Sequence, residues 1–285
     1  MNTIALAKRY TDCVNEVYVQ SAKSAVLETD SALSREGGGA NEIVIPSLSL
    51  DGLGDYSRNS GYVHGNVKLT WSTVRYNYER GRMFEVDAMD NEESQNVAFG
   101  RLAGEFMRTR AVPELDAFRF ARIINTEDIG LEMETLSTGD AAVASIRKAI
   151  NALDAAEVPD TERILFISPA VKALIDDMDT TKSRAVMDGF EQVVTVPAGR
   201  FYASVTLNDG TSAGEEGGGF EGEGAVNYLI VHRPAVLCFT KHLVSKVIPP
   251  ESNPDSDAYR YGFRSYGLCT VLSGREAGIY CSLAE

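Results

Sequence analysis

The run VKLTWSTVRYNYE, Val67 to Glu79, sets the reading of the whole chain. Val67, Leu69 and Trp71 alternate with Lys68, Thr70 and Ser72, the period of a strand with one covered face. Val74, Tyr76 and Tyr78 then fall on the other parity, so the face presented is expected to change midway. A shorter strand-like run, Glu42 to Leu50, comes before it, and the stretch between them, Asp51 to Asn66, is polar and rich in glycine. Together they predict a long hairpin. At about 3.3 Å per residue the second run alone would reach roughly 40 Å. An isolated ribbon of two strands is marginal in water. With Trp71, Tyr76 and Tyr78 on it, the ribbon needs a surface to lie on; a second copy of the chain is the expected one, and folding of the aromatics back onto their own subunit is the alternative.

Downstream, Asp90-Asn91-Glu92-Glu93-Ser94 supplies a cap and an acidic first turn, which predicts a helix start. Val97, Phe99, Leu102, Ala103, Phe106 and Met107 form one apolar stripe, with Arg101, Glu105 and Arg108 opposite. Pro113 interrupts the pattern, which resumes with Leu115, Phe118, Ile123 and Ile124. One long kinked helix over about 91–124 is expected.

Upstream, residues 1–40 read as an arm. Short apolar clusters, Val14-Val17-Tyr18 and Ala25-Val26-Leu27, precede the flexible break Arg35-Glu36-Gly37-Gly38-Gly39. So little apolar surface predicts an arm that orders only against neighbouring subunits.

An α/β region follows the long helix: an amphipathic helix over Gly139–Leu153, a buried strand RILFIS from Arg163, a helix from Pro169 to Met178, and a strand pair or bent strand over Val193–Val205. Asp209 to Gly224 is a low-complexity acidic segment, expected to be a mobile surface insertion. Strands are expected over Val226–His232 and Val236–Ile248, and the chain is expected to end in a hairpin of Tyr259–Leu272 with Ala277–Ser282.

Composition narrows the function classes. The 285 residues, 44% hydrophobic, suffice for one large core or two smaller ones. No stretch approaches the roughly 20 apolar residues of a membrane span, and the first residues carry charge where a secretory segment would be apolar, so a cytoplasmic protein is expected. The formal charge of −14 opposes sequence-specific DNA binding, though not enclosure of DNA. Cys13, Cys238, Cys269 and Cys281 are scattered, without zinc-site spacing, and read as buried free thiols. Gly217, Gly219 and Gly222 satisfy the spacing of a dinucleotide loop, but no strand–helix context surrounds them, and Glu215, Glu216, Glu221 and Glu223 would repel a pyrophosphate. Asp176-Asp177-Met178-Asp179 closes a helix without the alternation of a calcium loop, and His64, His232 and His242 have no partner at ligand spacing. No catalytic residue, cofactor or metal site is expected.

Three stretches in order, ERGRMFEVDAMDNEES (79–94), AVPELDAFRFARI (111–123), and VNYLIVHRPAVLCFTKHLVSKVIPP (226–250) with YGFRSYGLCTVLSGREAGIYCS (261–282), resemble the major capsid proteins of tailed bacteriophages. The resemblance implies an α+β chain with the Hong Kong ninety-seven-type capsid fold, shared with encapsulin shells. Its parts would be an N-terminal arm (1–40), an E-loop hairpin (41–82), a P-domain with a spine helix (83–136), an A-domain with the acidic insertion 209–224 (137–235), and a return to the P-domain sheet (236–285). It further implies self-assembly through pentamers and hexamers into an icosahedral virion shell around double-stranded DNA, built in the host bacterial cytoplasm. The implied partners are other copies of the chain, a separate scaffolding protein, a portal and, in some shells, a decoration protein. The expected intersubunit contacts are Trp71, Tyr76, Tyr78, Val17 and Tyr18. Where members of the fold crosslink a lysine to an asparagine, Lys68 could stand for the first, but Tyr259–Ser282 contains no asparagine, so a non-covalent shell is expected. The alternatives are an encapsulin-like compartment and, from another class, a cytosolic α/β enzyme built on residues 137–240.

Overall fold

The computed structural model describes residues 22–29, 35–36, 42–59, 61–93, 97–178 and 180–285; Val17, Tyr18 and Cys13 lie outside them. A short 3-10 turn, Lys23–Leu27, and strand β1 (Arg35–Glu36) lead into the hairpin strands β2 (Glu42–Leu50) and β3 (Val67–Arg75). The expected second run is therefore two strands. β3 stops at Arg75, and after Tyr76 and Asn77 a new strand, β4 (Tyr78–Asp87), enters another sheet.

The long helix starts at Ala88, earlier than the acidic run suggested, because the Asp87 carboxylate accepts from the Met89 amide at 2.9 Å. The described helical segments are α1 (Ala88–Glu93) and then α2 (Val97–Phe106), a π-helical turn over Met107–Ala111, and α3 (Val112–Ile124). Pro113 has no N–H to donate and its ring crowds the carbonyl one turn back. The widened turn before it, with the Val112 amide bonded to the Met107 carbonyl, accommodates that proline. This helix packs on the three-stranded sheet β10-β11-β4, where β10 is Val236–Ile248 and β11 is Ala258–Val271. Ala103, Met107, Ala111 and Leu115 meet Tyr78, Tyr261 and Phe263 in that core.

The second unit is a six-stranded sheet of β5 (Gly130–Met133), β6 (Arg163–Ile167), β7 (Gln192–Thr195), β8 (Tyr202–Leu207), β9 (Phe220–His232) and β12 (Ile279–Leu283). Both faces are covered, so all five residues of β6 are buried, four of them apolar. Ile164 and Phe166 point to the side of α3, against Phe120 and Ile123. Leu165 and Ile167 point to the other side, against Ala142, Ile146 and Leu153 of helix α4 (Gly139–Ala155) and Val171 and Ile175 of α5 (Pro169–Asp176). Thr138 and Ser168 cap those two helices. A further short helix, α6 (Thr181–Met187), follows a Thr180–Ser183 capping box.

The expected closing hairpin is corrected. β11 pairs with β10 and β4, whereas β12 pairs with β9 and β5 in the other sheet. The turn at Ser273-Gly274-Arg275-Glu276 reverses the chain but hands it from one sheet to the other.

Candidate intersubunit surfaces

The hairpin presents two unlike faces. In its register Ile43 opposes Val74, Pro46 opposes Trp71, and Leu50 opposes Val67. Side chains alternate along each strand, so Pro46, Trp71, Leu69, Val67 and Leu50 share one face, while Ile43, Ile45 and Val74 share the other. The second face packs at its root on Leu237 and Leu268 of the same chain. Farther out it is polar, with Ser49, Thr70 and Lys68. The first face is bare and apolar: Leu50 is 63% exposed, Val67 70%, Leu69 52% and Trp71 49%. The change of parity in the sequence thus marks where the ribbon leaves its own subunit. Beyond the strands the tip continues the pattern with exposed Leu53, Tyr56, Tyr62 and Val63.

Only part of the expected aromatic set belongs to this surface. Tyr78 is 4% exposed and lies in the subunit's own core, its ring 4.9 Å from that of Phe118. It begins β4, and pairing with Gly267 turns it inward. Tyr76 is half-buried, its ring 4.6 Å from that of Tyr266, with the Lys241 ammonium 5.0 Å above it. Between them the Asn77 side chain donates to the Cys269 carbonyl at 2.7 Å and accepts from its amide at 3.0 Å, fixing the hairpin root to β11.

The described part of the arm is also anchored on its own subunit, against the expectation that residues 1–35 order only against neighbouring subunits. Leu27 is fully buried in the core beside Phe120 and Ile123. Asp116 accepts from the Lys23 amide at 3.0 Å, from the Ser24 amide at 2.9 Å and from Arg200 at 3.2 Å. Arg119 donates to Glu28 at 2.6 Å, and Glu28 accepts from the Thr240 amide at 2.8 Å. The short cluster Ala25-Val26-Leu27 does not reveal which surface it packs on, because its burial depends on groups on α3 and β10.

The acidic segment is a folded strap. Asp209 accepts from the Thr211 and Ser212 amides at 2.7 Å each, and Phe220–Ala225 already belongs to β9, paired with β8. Arg80 of β4 reaches across to the carbonyls of Asn208 (2.8 Å) and Gly219 (3.2 Å) and to Glu114 on α3 at 2.6 Å. Burial opposes the Arg80 charge, but the Glu114 carboxylate more than offsets it and its pKa is raised. Arg82 donates to the Glu216 carbonyl at 2.9 Å. Gly210 and Gly218 both have positive φ and face Arg82; a β-carbon on Gly210 would stand 2.8 Å from its guanidinium. Of the dinucleotide-like glycines, Gly219 accepts from Arg80 through its carbonyl and Gly222 lies within strand β9, so the spacing has a structural origin.

His64 is at the exposed tip, His242 is exposed, and burial lowers the pKa of half-buried His232. Among the described residues no cluster of three or more metal-ligating side chains is present, and no helix is long and apolar enough to cross a membrane.

This architecture, a protruding hairpin followed by a long helix on a three-stranded sheet and a separate α/β unit, is a phage capsid subunit fold. The capsid of cyanophage P-SCSP1u matches at TM-score 0.62 with 12% identity, covering 91% of this chain and 86% of that one. The mature capsid of bacteriophage PhiM1 matches at 0.59 with 13% identity, over 86% and 82%. A virus-like particle from Pyrococcus furiosus matches at 0.54 with 13% identity, over 98% and 99%. The chain therefore has the Hong Kong ninety-seven-type α+β fold, and these structures that share it are shells. No family sequence profile and no curated protein matches it.

Proposed function

We propose that this chain is the major capsid protein of a tailed bacteriophage, assembling through pentamers and hexamers into an icosahedral shell around double-stranded DNA. The observation that carries this reading is the bare apolar hairpin face of Trp71, Leu69, Val67 and Leu50 on a subunit with a capsid fold. A lone ribbon with that much exposed apolar surface is unstable against association. Laid on a neighbour, the contact recurs at every copy of a closed lattice, so modest pairwise free energies sum to a stable shell. The acidic charge of −14 suits a container that must not bind its contents tightly. Scaffolding protein, portal and decoration protein are separate partners in this reading, and assembly takes place in the host cytoplasm.

The near-complete mutual coverage with the Pyrococcus furiosus particle supports a second reading, an encapsulin-like compartment with protein cargo. Light scattering and electron microscopy of the purified protein test the shell itself. Ring-shaped capsomers or closed megadalton particles are expected, and a monomer or small compact oligomer at high concentration would overturn it. Particles recovered from the native source then separate the two readings, by whether they contain DNA or a protein cargo.

A further inference from the structure

Cys238 on β10 and Cys269 on β11 are directly opposed in the antiparallel register. Both are buried, and their Sγ atoms are 3.1 Å apart, in direct contact. Opposed residues on adjacent antiparallel strands have Cα atoms about 4.5–5.5 Å apart, inside the range a disulfide spans.

The surroundings favour thiolate chemistry. The Arg119 guanidinium, itself 3% exposed, lies among Glu28, Ser24 and Thr240 beside the pair. The hydrogen bond between the two thiols, and then the Arg119 charge, hold the Cys238 thiol below its ordinary pKa in spite of burial. Cys269 is pushed well above its own by the same bond and by burial. Cys281 is buried as well, and burial alone raises it. We assign the first attack to Cys238, next to Arg119, and the second to Cys269.

We propose that Cys238 and Cys269 form a built disulfide site, closed by a peroxide when the protein leaves a reducing compartment. The Cys238 thiolate attacks one peroxide oxygen, breaking the O–O bond to give a sulfenic acid and hydroxide. Cys269 gives its proton to that hydroxide, and its sulfur attacks the Cys238 sulfur, expelling a second hydroxide that takes up the proton Cys238 had lost. Two thiols lose two electrons, and hydrogen peroxide is reduced to two waters. A water-sized oxidant suits a pair this deeply buried.

The position gives the bond a consequence. The Thr29 amide donates to the Cys238 carbonyl at 2.8 Å, and Asn77 holds the Cys269 backbone, so arm and hairpin root both attach at this pair. A bond between residues separated by 31 positions removes freedom from the unfolded chain there.

The test is to treat the purified full chain with hydrogen peroxide, denature it, alkylate free thiols and map the peptides. The expected result is a Cys238–Cys269 peptide pair lighter by two hydrogens, with Cys281 still alkylated, and a thermal midpoint raised by at least about 2–4 °C that reductant restores. In Cys269→Ala the same treatment should leave Cys238 as a dimedone-trappable sulfenic acid. Alkylation of both cysteines after treatment, or linkage of either to a different cysteine, would overturn the proposal. The peptide map of the unmutated chain decides it even where the variant does not fold.

Discussion

The amide and the hydroxyl of Ser24 both donate to Oδ1 of Asp116, at 2.9 and 2.8 Å, tying the end of the arm to the middle of the long helix. Asp116 is fully buried, and Arg200 is its charged neighbour at 3.2 Å. Asp116→Ala would leave buried amides without an acceptor and Arg200 without its ion pair. A loss of about 2–5 kcal/mol of subunit stability is expected, with a similar loss for Leu27→Ala. Chemical denaturation of unassembled subunits measures both. Midpoints unchanged from the parent chain would mean that residues 22–29 are dispensable to the fold.

Trp71 and Tyr78 are seven positions apart and should behave oppositely. Tyr78→Ala empties a core site and is expected to cost about 3–5 kcal/mol, near 2–4 °C of melting midpoint for each kcal/mol. Trp71→Ala should change subunit stability by no more than about 0.5 kcal/mol while particle yield collapses. Calorimetry of subunits and sedimentation of particles, run on the same preparations, give both numbers. A large drop in midpoint for Trp71→Ala would return that ring to the subunit core.

Arg80 is expected to be the pin of the acidic strap. Its removal leaves Glu114 without its closest cation and takes a donor from the Asn208 and Gly219 carbonyls, the second of which keeps the Asn208 amide at 3.0 Å, a loss of about 1–3 kcal/mol. Hydrogen exchange in Arg80→Ala should speed up over residues 208–219, with little change at Tyr228–Val231 in the core of β9. Equal exchange in both proteins would show that the turn is held by its own Asp209 bonds. Because β9 begins at Phe220, a linker replacement that spares the fold must end before it.

Local pattern was enough for several elements. RILFIS from Arg163 reads as a buried strand, the stripe up to residue 124 as a long kinked helix, and the parity switch after Trp71 marks where the hairpin changes surroundings. Each of these signals comes from neighbours within two or four positions, which periodicity records. Pro113 also forecast an irregularity, though not that a π turn ahead of it would absorb the strain.

What remained hidden depended on partners distant in the chain. Tyr78 reads as one more ribbon aromatic until β11 pairs with β4 and turns it onto Phe118. The turn after β11 encodes a reversal but not which sheet receives β12, because that choice rests on the edges left open by β5 and β9. Glycines and glutamates in the acidic segment suggested freedom, whereas Arg80 and Arg82, more than a hundred positions earlier, supply the donors that fix it. The thiol pair shows the same division. The sequence states that Cys238 and Cys269 exist, and only the antiparallel register of β10 and β11, with Arg119 placed beside them by the long helix, brings the two sulfurs into contact.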